Sequence, residues 1–404
     1  MEPNPPFLLD RIEQLAAGYR DGLLDDTLPF WFPRCVDEEF GGYLVARDRD
    51  GSLIDDDKGV WQQGRAAWLL GELYNTVEPR ESWLRWCRAG IEFLDRHGFD
   101  PVDGRMWFHL TRDGRPLRKR RYAFSESFAC IAYGEYAKAT GSGEYAEKAR
   151  RVFLQFIEQS LRPKGFEPKF TDVRPTKSIG FPMITLAACQ ELRDSIDLPE
   201  AGEWIDRSIE TIRGEFLKPE WEAVMETVGR QGEVLDHFDG RILNPGHAME
   251  AAWFILREAQ HRGADSTLMN LGTTMLDWMW RRGWDQHYGG IFYFRDLQGL
   301  PVQEYWHDMK FWWPHNEAII ATLLAHHLTG QEKYAQWHQK VHDWAYSHFP
   351  DPDYGEWYGY LHRDGRLSVP LKGNLWKGPF HLPRMQLVCW KTLESARNPP
   401  RAPR

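Results

Sequence analysis

Four aromatic-rich stretches, each closed by a turn that ends in glycine, recur along this chain and constrain its fold. GGYLVARDRDG begins at Gly41, DGRMWFHLTRDG at Asp103, GGIFYFRDLQG at Gly289 and YGEWYGYLHRDG at Tyr354. Each joins β-prone residues to an Asp-Gly or Asp-x-x-Gly turn, the pattern of a hairpin or extended loop. Weaker relatives begin at Gly165 (GFEPKFTD) and Val224 (VMETVGRQGEVLDHFDG). Successive starts lie about 60 to 66 residues apart, which makes an internal repeat.

Between the turns the hydrophobic period becomes helical. WQQGRAAWLLGELYN runs from Trp61, and PHNEAIIATLLAHHLTG from Pro314 to Gly330. FSESFACIAYGEYAKATG runs from Phe124, with Ser125 as the expected N-cap and Gly141 as the stop. A more charged helix follows most of these, as in GEYAEKARRVFLQFIEQS and QEKYAQWHQKVHDWAYSHF. The first helix of a pair is apolar all round and the second is amphipathic, as an inner and an outer helix would be. Six such pairs predict an all-α fold, one closed (α/α)6 barrel with β-hairpins or loops at one mouth. Residues 1–396 are expected to form a single domain and residues 397–404 a disordered tail.

Composition excludes several classes of function. A net charge of −9 over 404 residues gives no basic footprint for nucleic acid or an anionic membrane surface. No apolar run is long enough to span a bilayer. The N-terminal residues lack a basic region followed by an apolar core, so no signal peptide is expected. Cys35, Cys87, Cys130, Cys189 and Cys389 are isolated and odd in number, which fits reduced thiols and a cytoplasmic setting. Twenty tryptophans supply buried area and also flat walls for sugar rings.

Polar residues recur where the chain enters each inner helix. Arg65 lies in WQQGRAAW, Glu126 in FSES, His247 and Glu250 in NPGHAMEAAW, and His315 and Glu317 in WWPHNEA. Lys377, His381 and Arg384 lie in WKGPFHLPRM, and the third repeat has the apolar Met183. Repeat-equivalent positions fall at one end of a barrel, so these side chains are expected to ring one mouth. Core packing is the alternative for any one of them. Asn244-Pro245 before His247 reads as a cap followed by proline, and a histidine at a helix start tends to stay neutral and accept a proton. Glu250, three residues on, is placed to hold the His247 ring. Trp312, Trp313 and Trp376 are candidate sugar walls. The histidine spacing is not HExxH and cations lie nearby, so no metal is expected. No GxxxxGK[ST] or GxGxxG is present to cradle a phosphate.

At NPGHAME, KFWWPHNEA and KGNLWKGPFHLPR the chain resembles the N-acylglucosamine 2-epimerase family, over nearly its whole length. The resemblance implies the same barrel, with Arg65 as the essential arginine and His247 and His381 as the catalytic histidines. Glu250 and Glu317 match the family's acidic residues. The wider superfamily includes cellobiose 2-epimerases and aldose–ketose isomerases. Those tend to carry a histidine where this chain has Met183, and a YHN-like motif where it has FHLPR, which favours the N-acylhexosamine branch.

The implied reaction interconverts N-acetylglucosamine and N-acetylmannosamine. The ring opens, one histidine removes the carbon-2 proton, and the other returns a proton to the opposite face of an enediolate. Arg65 would stabilise charge on the carbon-1 oxygen. Glu250 and Glu317 would tune the histidines, and His315 would bind sugar hydroxyls or fix Glu317. Glu126, Trp313, Trp376, Lys377, Arg384 and Met183 are the expected substrate-binding residues. No cofactor is required by this chemistry. Family members are commonly homodimers and often respond to ATP or other nucleotides as allosteric effectors. Alternatives on the same scaffold are an aldose–ketose isomerase and a cellobiose 2-epimerase. More distant ones are a glycoside hydrolase, which needs two flanking carboxylates, and a protein-binding role like that of renin-binding relatives.

Overall fold

The computed structural model describes residues 9–165 and 168–397. The expected tail lies outside the described residues from 398 on, and the weak repeat at Gly165 loses Phe166 and Glu167 in the same way. Twelve α-helices of eleven residues or more are present among the described residues. They are α1 (Leu9–Asp21), α2 (Val60–Thr76), α3 (Glu81–His97), α4 (Phe124–Thr140), α5 (Gly143–Leu161) and α6 (Gly180–Ile196). They continue as α7 (Ala201–Thr211), α8 (Pro245–His261), α9 (Ser266–Gly283), α10 (Trp312–Thr329), α11 (Glu332–His348) and α12 (His381–Arg397).

The chain divides into two compact units, each with three helix pairs. One comprises residues 30–212 and 371–380, the other residues up to 29, 213–370 and from 381 on. In the first, α2 packs on α3 and α4, α4 on α5 and α6, and α6 on α7. In the second, α8 packs on α9 and α10, α10 on α11 and α12, and α12 on α1.

The difference between inner and outer helices follows from what each buries. Every residue of α10 from Trp312 to Ala325 is buried, whereas α11 buries only Tyr334, Ala335, His338, Val341 and Ala345. That spacing is a single stripe on a helix facing one neighbour. Gly141 (φ 66°) and Gly330 (φ 67°) end α4 and α10 in the left-handed region, as expected of a glycine stop. Ser125 is not a cap. Phe124 is already helical, the cap position falls on Ala123, and Ser125 is buried in the first turn.

A second repeat lies just ahead of the aromatic stretches. In each copy an aspartate starts a tight loop that ends on a positive-φ glycine: Asp37 to Gly41, Asp100 to Gly104, Asp285 to Gly289 and Asp351 to Gly355. The aspartate carbonyl accepts from the glycine N–H, and its carboxylate accepts from N–H groups inside the loop. The loops then close through the bridges Val36–Tyr43, Phe99–Met106, Trp284–Ile291 and Pro350–Trp357.

Two of these aspartates carry the same buried ion pairs. Asp37 accepts from Lys58 Nζ at 2.8 Å and Arg112 Nε at 3.0 Å. Asp285 accepts from Lys310 Nζ at 3.1 Å and Arg363 Nε at 2.8 Å. Lys58 and Lys310 each lie on the short strand that leads into an inner helix, Lys58–Gly59 and Lys310–Phe311. The loop is therefore tied to the start of the next inner helix, where the candidate residues sit.

Candidate active site

His315 is the first residue whose place differs from expectation. Its side chain is fully buried, Nδ1–H donates to the Phe311 carbonyl at 2.6 Å, and Nε2 accepts from the Ile291 N–H at 2.8 Å. The ring stacks on Trp344 at 4.8 Å and meets Phe349 edge-on at 5.0 Å. Burial pushes its pKa down to about 3, so it is neutral with both nitrogens engaged. It neither binds sugar hydroxyls nor fixes Glu317.

Two other repeats make the same contact with different residues. Gln63 Oε1 accepts from the Tyr43 N–H at 2.7 Å, and Glu126 Oε1 from the Met106 N–H at 3.0 Å. Tyr43, Met106 and Ile291 are each the bridge residue after the aspartate loop. Gln63, Glu126 and His315 thus form one class, side chains in the first turn of an inner helix that anchor the preceding hairpin. Glu126 is also held by Arg105 Nε at 2.6 Å and is fully buried, so it is an anchor and not a substrate ligand.

His247 sits in the first turn of α8. Asn244 caps that helix by accepting from the His247 N–H through Oδ1 at 3.1 Å, and Pro245 takes the first helical position. The ring is held by a residue that the spacing did not suggest. Nδ1–H donates to Glu226 Oε2 at 2.9 Å, and Glu226 comes from the short link between the strands Ala223–Val224 and Thr227–Gly229, which belong to two different sheets. Asn244 Nδ2 lies 3.1 Å from the same nitrogen, but its oxygen is committed to the cap and the carboxylate is the stronger acceptor. Glu250 does not hold this ring, because its carboxylate is engaged elsewhere. Burial alone would lower the His247 pKa; Glu226, with Glu250 and Glu317 behind it, outweighs that, and the net shift is upward.

His381 opens α12 and has a carboxylate partner of its own. Nδ1–H donates to Glu317 Oε1 at 2.8 Å. Glu317 also accepts from Trp253 Nε1 at 2.8 Å and from Arg384 Nη2 at 2.7 Å. The same Arg384 nitrogen donates to Glu250 Oε1 at 2.5 Å. Arg384 therefore bridges two buried carboxylates through one guanidinium nitrogen. Burial works against its charge, but the two acids outweigh that and hold it ionised.

Trp313 lies against both imidazoles, with ring centroids 5.0 Å from His247 and 5.7 Å from His381. Gly246 leaves room for it. A Cβ there would come 2.6 Å from the indole. Trp312 is buried against Tyr360 and is core.

In the other unit, Arg65 lies in the first turns of α2 with its guanidinium over three rings, 4.2 Å from Phe128, 4.6 Å from Phe380 and 5.5 Å from Trp61. Trp376 is 45 % exposed and packs near Phe108 and Trp61, which leaves it a surface on which a sugar can rest. Met183 is buried in the first turn of α6. Lys377 is buried and donates to the Lys372 carbonyl at 2.9 Å, so its ammonium braces its own loop.

Glu250, Glu317 and His381 offer ligand atoms within 4.8 Å of one another, a spacing a divalent ion uses. Arg384 Nη2 already donates to an oxygen of both carboxylates, so the guanidinium does there what a cation would do.

Residues 42–381 match the N-acylglucosamine 2-epimerase (GlcNAc 2-epimerase) family. The chain belongs to that family. The N-acylglucosamine 2-epimerase of Bos taurus is 36 % identical across 98 % of this chain and 99 % of its own. That of Homo sapiens is 34 % identical across 92 % of this chain and 88 % of its own. Among solved structures, a cellobiose 2-epimerase from Bacillus thermoamylovorans B4167 matches at a TM-score of 0.82 and 20 % identity, over 95 % of this chain and 99 % of that one. A D-mannose isomerase matches at 0.79 and 18 % identity, over 95 % and 98 %. These neighbours share the α/α-barrel fold expected from the helix pairs. The chain is a carbohydrate epimerase of the N-acylglucosamine 2-epimerase family.

In terms of that chemistry, His247 and His381 each have Nδ1 committed to a carboxylate. Each therefore turns Nε2 away from its anchor. No helix among the described residues is long and apolar enough to cross a membrane.

Proposed function

We propose that this protein interconverts N-acetylglucosamine and N-acetylmannosamine by proton transfer at carbon 2. The observation that carries the reading is the histidine pair. Two imidazoles start two different helices, each is oriented through Nδ1 by its own carboxylate, and both lie against Trp313.

Ring opening exposes the aldehyde, which acidifies the carbon-2 proton. One histidine removes that proton and leaves an enediolate; the other delivers a proton to the opposite face and inverts the centre. Glu317 and Glu226 keep the rings oriented, and Arg384 bridges Glu250 and Glu317. Arg65 is assigned the charge on the carbon-1 oxygen on the strength of the family resemblance. Trp376 is proposed as a sugar wall, and Met183 as part of the preference for N-acylhexosamines. Oxidation state does not change, so the reaction consumes no redox cofactor. We further propose a cytoplasmic homodimer with a nucleotide as allosteric effector.

The test is incubation with N-acetylmannosamine in deuterated water, with and without ATP, followed by proton NMR. N-acetylglucosamine carrying deuterium at carbon 2 is the expected product. Conversion of free mannose to fructose, with no reaction of the amino sugar, would replace this reading with an aldose–ketose isomerase. Light scattering measures the dimer.

A further inference from the structure

The two histidine–carboxylate pairs differ in how much charge each carboxylate presents. Glu317 is fully buried, and its oxygens are shared among His381, Trp253 and Arg384. Much of its charge is neutralised by the guanidinium. Glu226 reaches in from the link between two short strands, its side chain is 18 % exposed, and His247 is the one hydrogen-bond partner of its carboxylate among the described residues. Its full charge therefore acts on one imidazole.

The other groups facing His247 act in the same direction or are balanced. Glu250 on its own helix and Glu317 on α10 both favour the charged ring, and Arg384 on α12 is bonded to both of those acids. Tyr293, whose ring meets Trp313 edge-on at 5.9 Å, stays a neutral phenol, since burial raises its pKa and Glu226 raises it further.

We propose that Glu226 is the positioning residue of His247, holding Nδ1–H toward the inter-strand link and keeping this ring the protonated member of the catalytic pair. His381 is then the neutral base that meets an arriving substrate, and His247 the acid that completes the inversion. A substrate whose carbon-2 hydrogen faces His247 must wait for the less populated arrangement, in which the proton has moved to His381. The proton count balances. One proton leaves carbon 2 for His381, one leaves His247 for carbon 2, and exchange with solvent restores the pair. This inference rests on the proposed function, because it assigns roles within that two-base site.

The test is Glu226→Gln, which keeps an acceptor for Nδ1–H but removes the charge. The active form of the pair carries one proton. Activity therefore falls at acid pH when both rings are protonated, and at alkaline pH when His247 loses its proton. Without the carboxylate, His247 releases its proton more readily, so the alkaline limb should move to lower pH by about one unit. The acid limb should stay, and kcat at the optimum should fall by about tenfold or more. Glu226→Asp, which restores the charge on a shorter arm, should bring the alkaline limb back. Urea midpoints show whether each variant is folded.

A second readout does not depend on activity. With histidines labelled at Cε1 and the His247 signal assigned through His247→Asn, its NMR titration midpoint should drop in Glu226→Gln. An active variant with an unmoved alkaline limb and an unmoved midpoint would overturn the role of Glu226 and leave the epimerase reading intact. A lowered midpoint in a protein inactive on amino sugars would uphold the Glu226–His247 pairing and sink the substrate assignment instead.

Discussion

Gly246→Ala tests whether Trp313 sets the geometry of the histidine pair. Gly246 lies in the first turn of α8, one residue before His247. An added Cβ would stand 2.6 and 2.7 Å from the outer carbons of the Trp313 ring and 3.0 Å from Pro314 Cβ. Carbon atoms pack at about 3.5–4.0 Å, so the indole must move by roughly 1 Å. It packs against His247 and His381, whose centroids lie 5.0 and 5.7 Å from it, so its shift reaches both imidazoles. A shift of about 1 Å in a reacting geometry costs on the order of 100-fold in rate, or about 2.7 kcal/mol of barrier. Stability should change less. Alanine gains up to about 1 kcal/mol over glycine in a helix, and overpacking costs about 1–3 kcal/mol, leaving a net loss of about 0–2 kcal/mol. The assay is kcat by NMR on N-acetylmannosamine alongside urea unfolding. Gly18→Ala is the control, because Gly18 is exposed on α1 with nothing within 4 Å of its Cβ position, and it should stabilise slightly without touching kcat. A Gly246→Ala enzyme that is folded and runs at the wild-type rate would refute the idea that Trp313 spaces the bases.

His315→Ala should cost stability and leave kcat of the folded protein nearly unchanged. It strands the Ile291 N–H and removes a stacked ring, a loss of about 2–4 kcal/mol by urea unfolding, and a rate loss of 100-fold at unchanged stability would contradict its anchoring role. The same residue makes the protein acid-sensitive. Its folded pKa of about 3 lies below the ordinary 6.5, so its contribution is complete above pH 6.5 and is lost as pH falls toward 3, a swing on the order of 4–5 kcal/mol. Unfolding free energies at pH 7 and pH 4 should converge in the variant relative to wild type, and parallel losses would refute the assignment. Asp285→Asn leaves Lys310 and Arg363 without their counter-charge and should destabilise by about 3–5 kcal/mol; Lys310→Met added to it should recover part of that, and simple additivity would count against a coupled pair. Arg384→Met leaves Glu250 and Glu317 facing each other and should cut kcat by about 100-fold or more, with Arg384→Lys between it and wild type because it restores the charge on a shorter, more flexible arm than the one whose Nη2 bridges both acids. Equal losses in the two variants would show that charge alone is not what matters there.

The helix pairs were legible because their signal is local. An inner helix buried all round and an outer helix with one stripe differ in the sequence itself, and α10 and α11 show the contrast directly. Gly141 and Gly330 were legible for the same reason, since a left-handed cap favours glycine whatever surrounds it. The Asp37, Asp100, Asp285 and Asp351 loops were equally local and still went unread. The aromatic stretches behind them drew the repeat boundary a few residues late. Glu226 was not legible from spacing. It lies 21 residues before His247 and reaches it only because the intervening chain folds back. A single acid within AVMETVG, a stretch otherwise apolar or β-prone, was its one signal.

The histidines at matched phases show why such a pattern cannot assign roles by itself. His247 and His315 both stand in the first turn of an inner helix, each near a proline and each followed by a glutamate within three residues. What separates them is the backbone in front. Ahead of α10 the hairpin bears Gly290, where a Cβ would stand 2.8 Å from His315 Nε2. Because glycine is there, the ring can close onto the Ile291 N–H and both of its nitrogens are used up. Ahead of α8 a link between two short strands brings a carboxylate to Nδ1, and the opposite nitrogen takes no part in that bond. A neutral anchor and a ring polarised by a carboxylate thus both arise in the first turn of an inner helix, according to whether the facing segment offers an N–H or a carboxylate. The residue to inspect when sorting such histidines is therefore the one on the preceding segment that faces the ring, and exchanging that residue should change the role more than moving the histidine does.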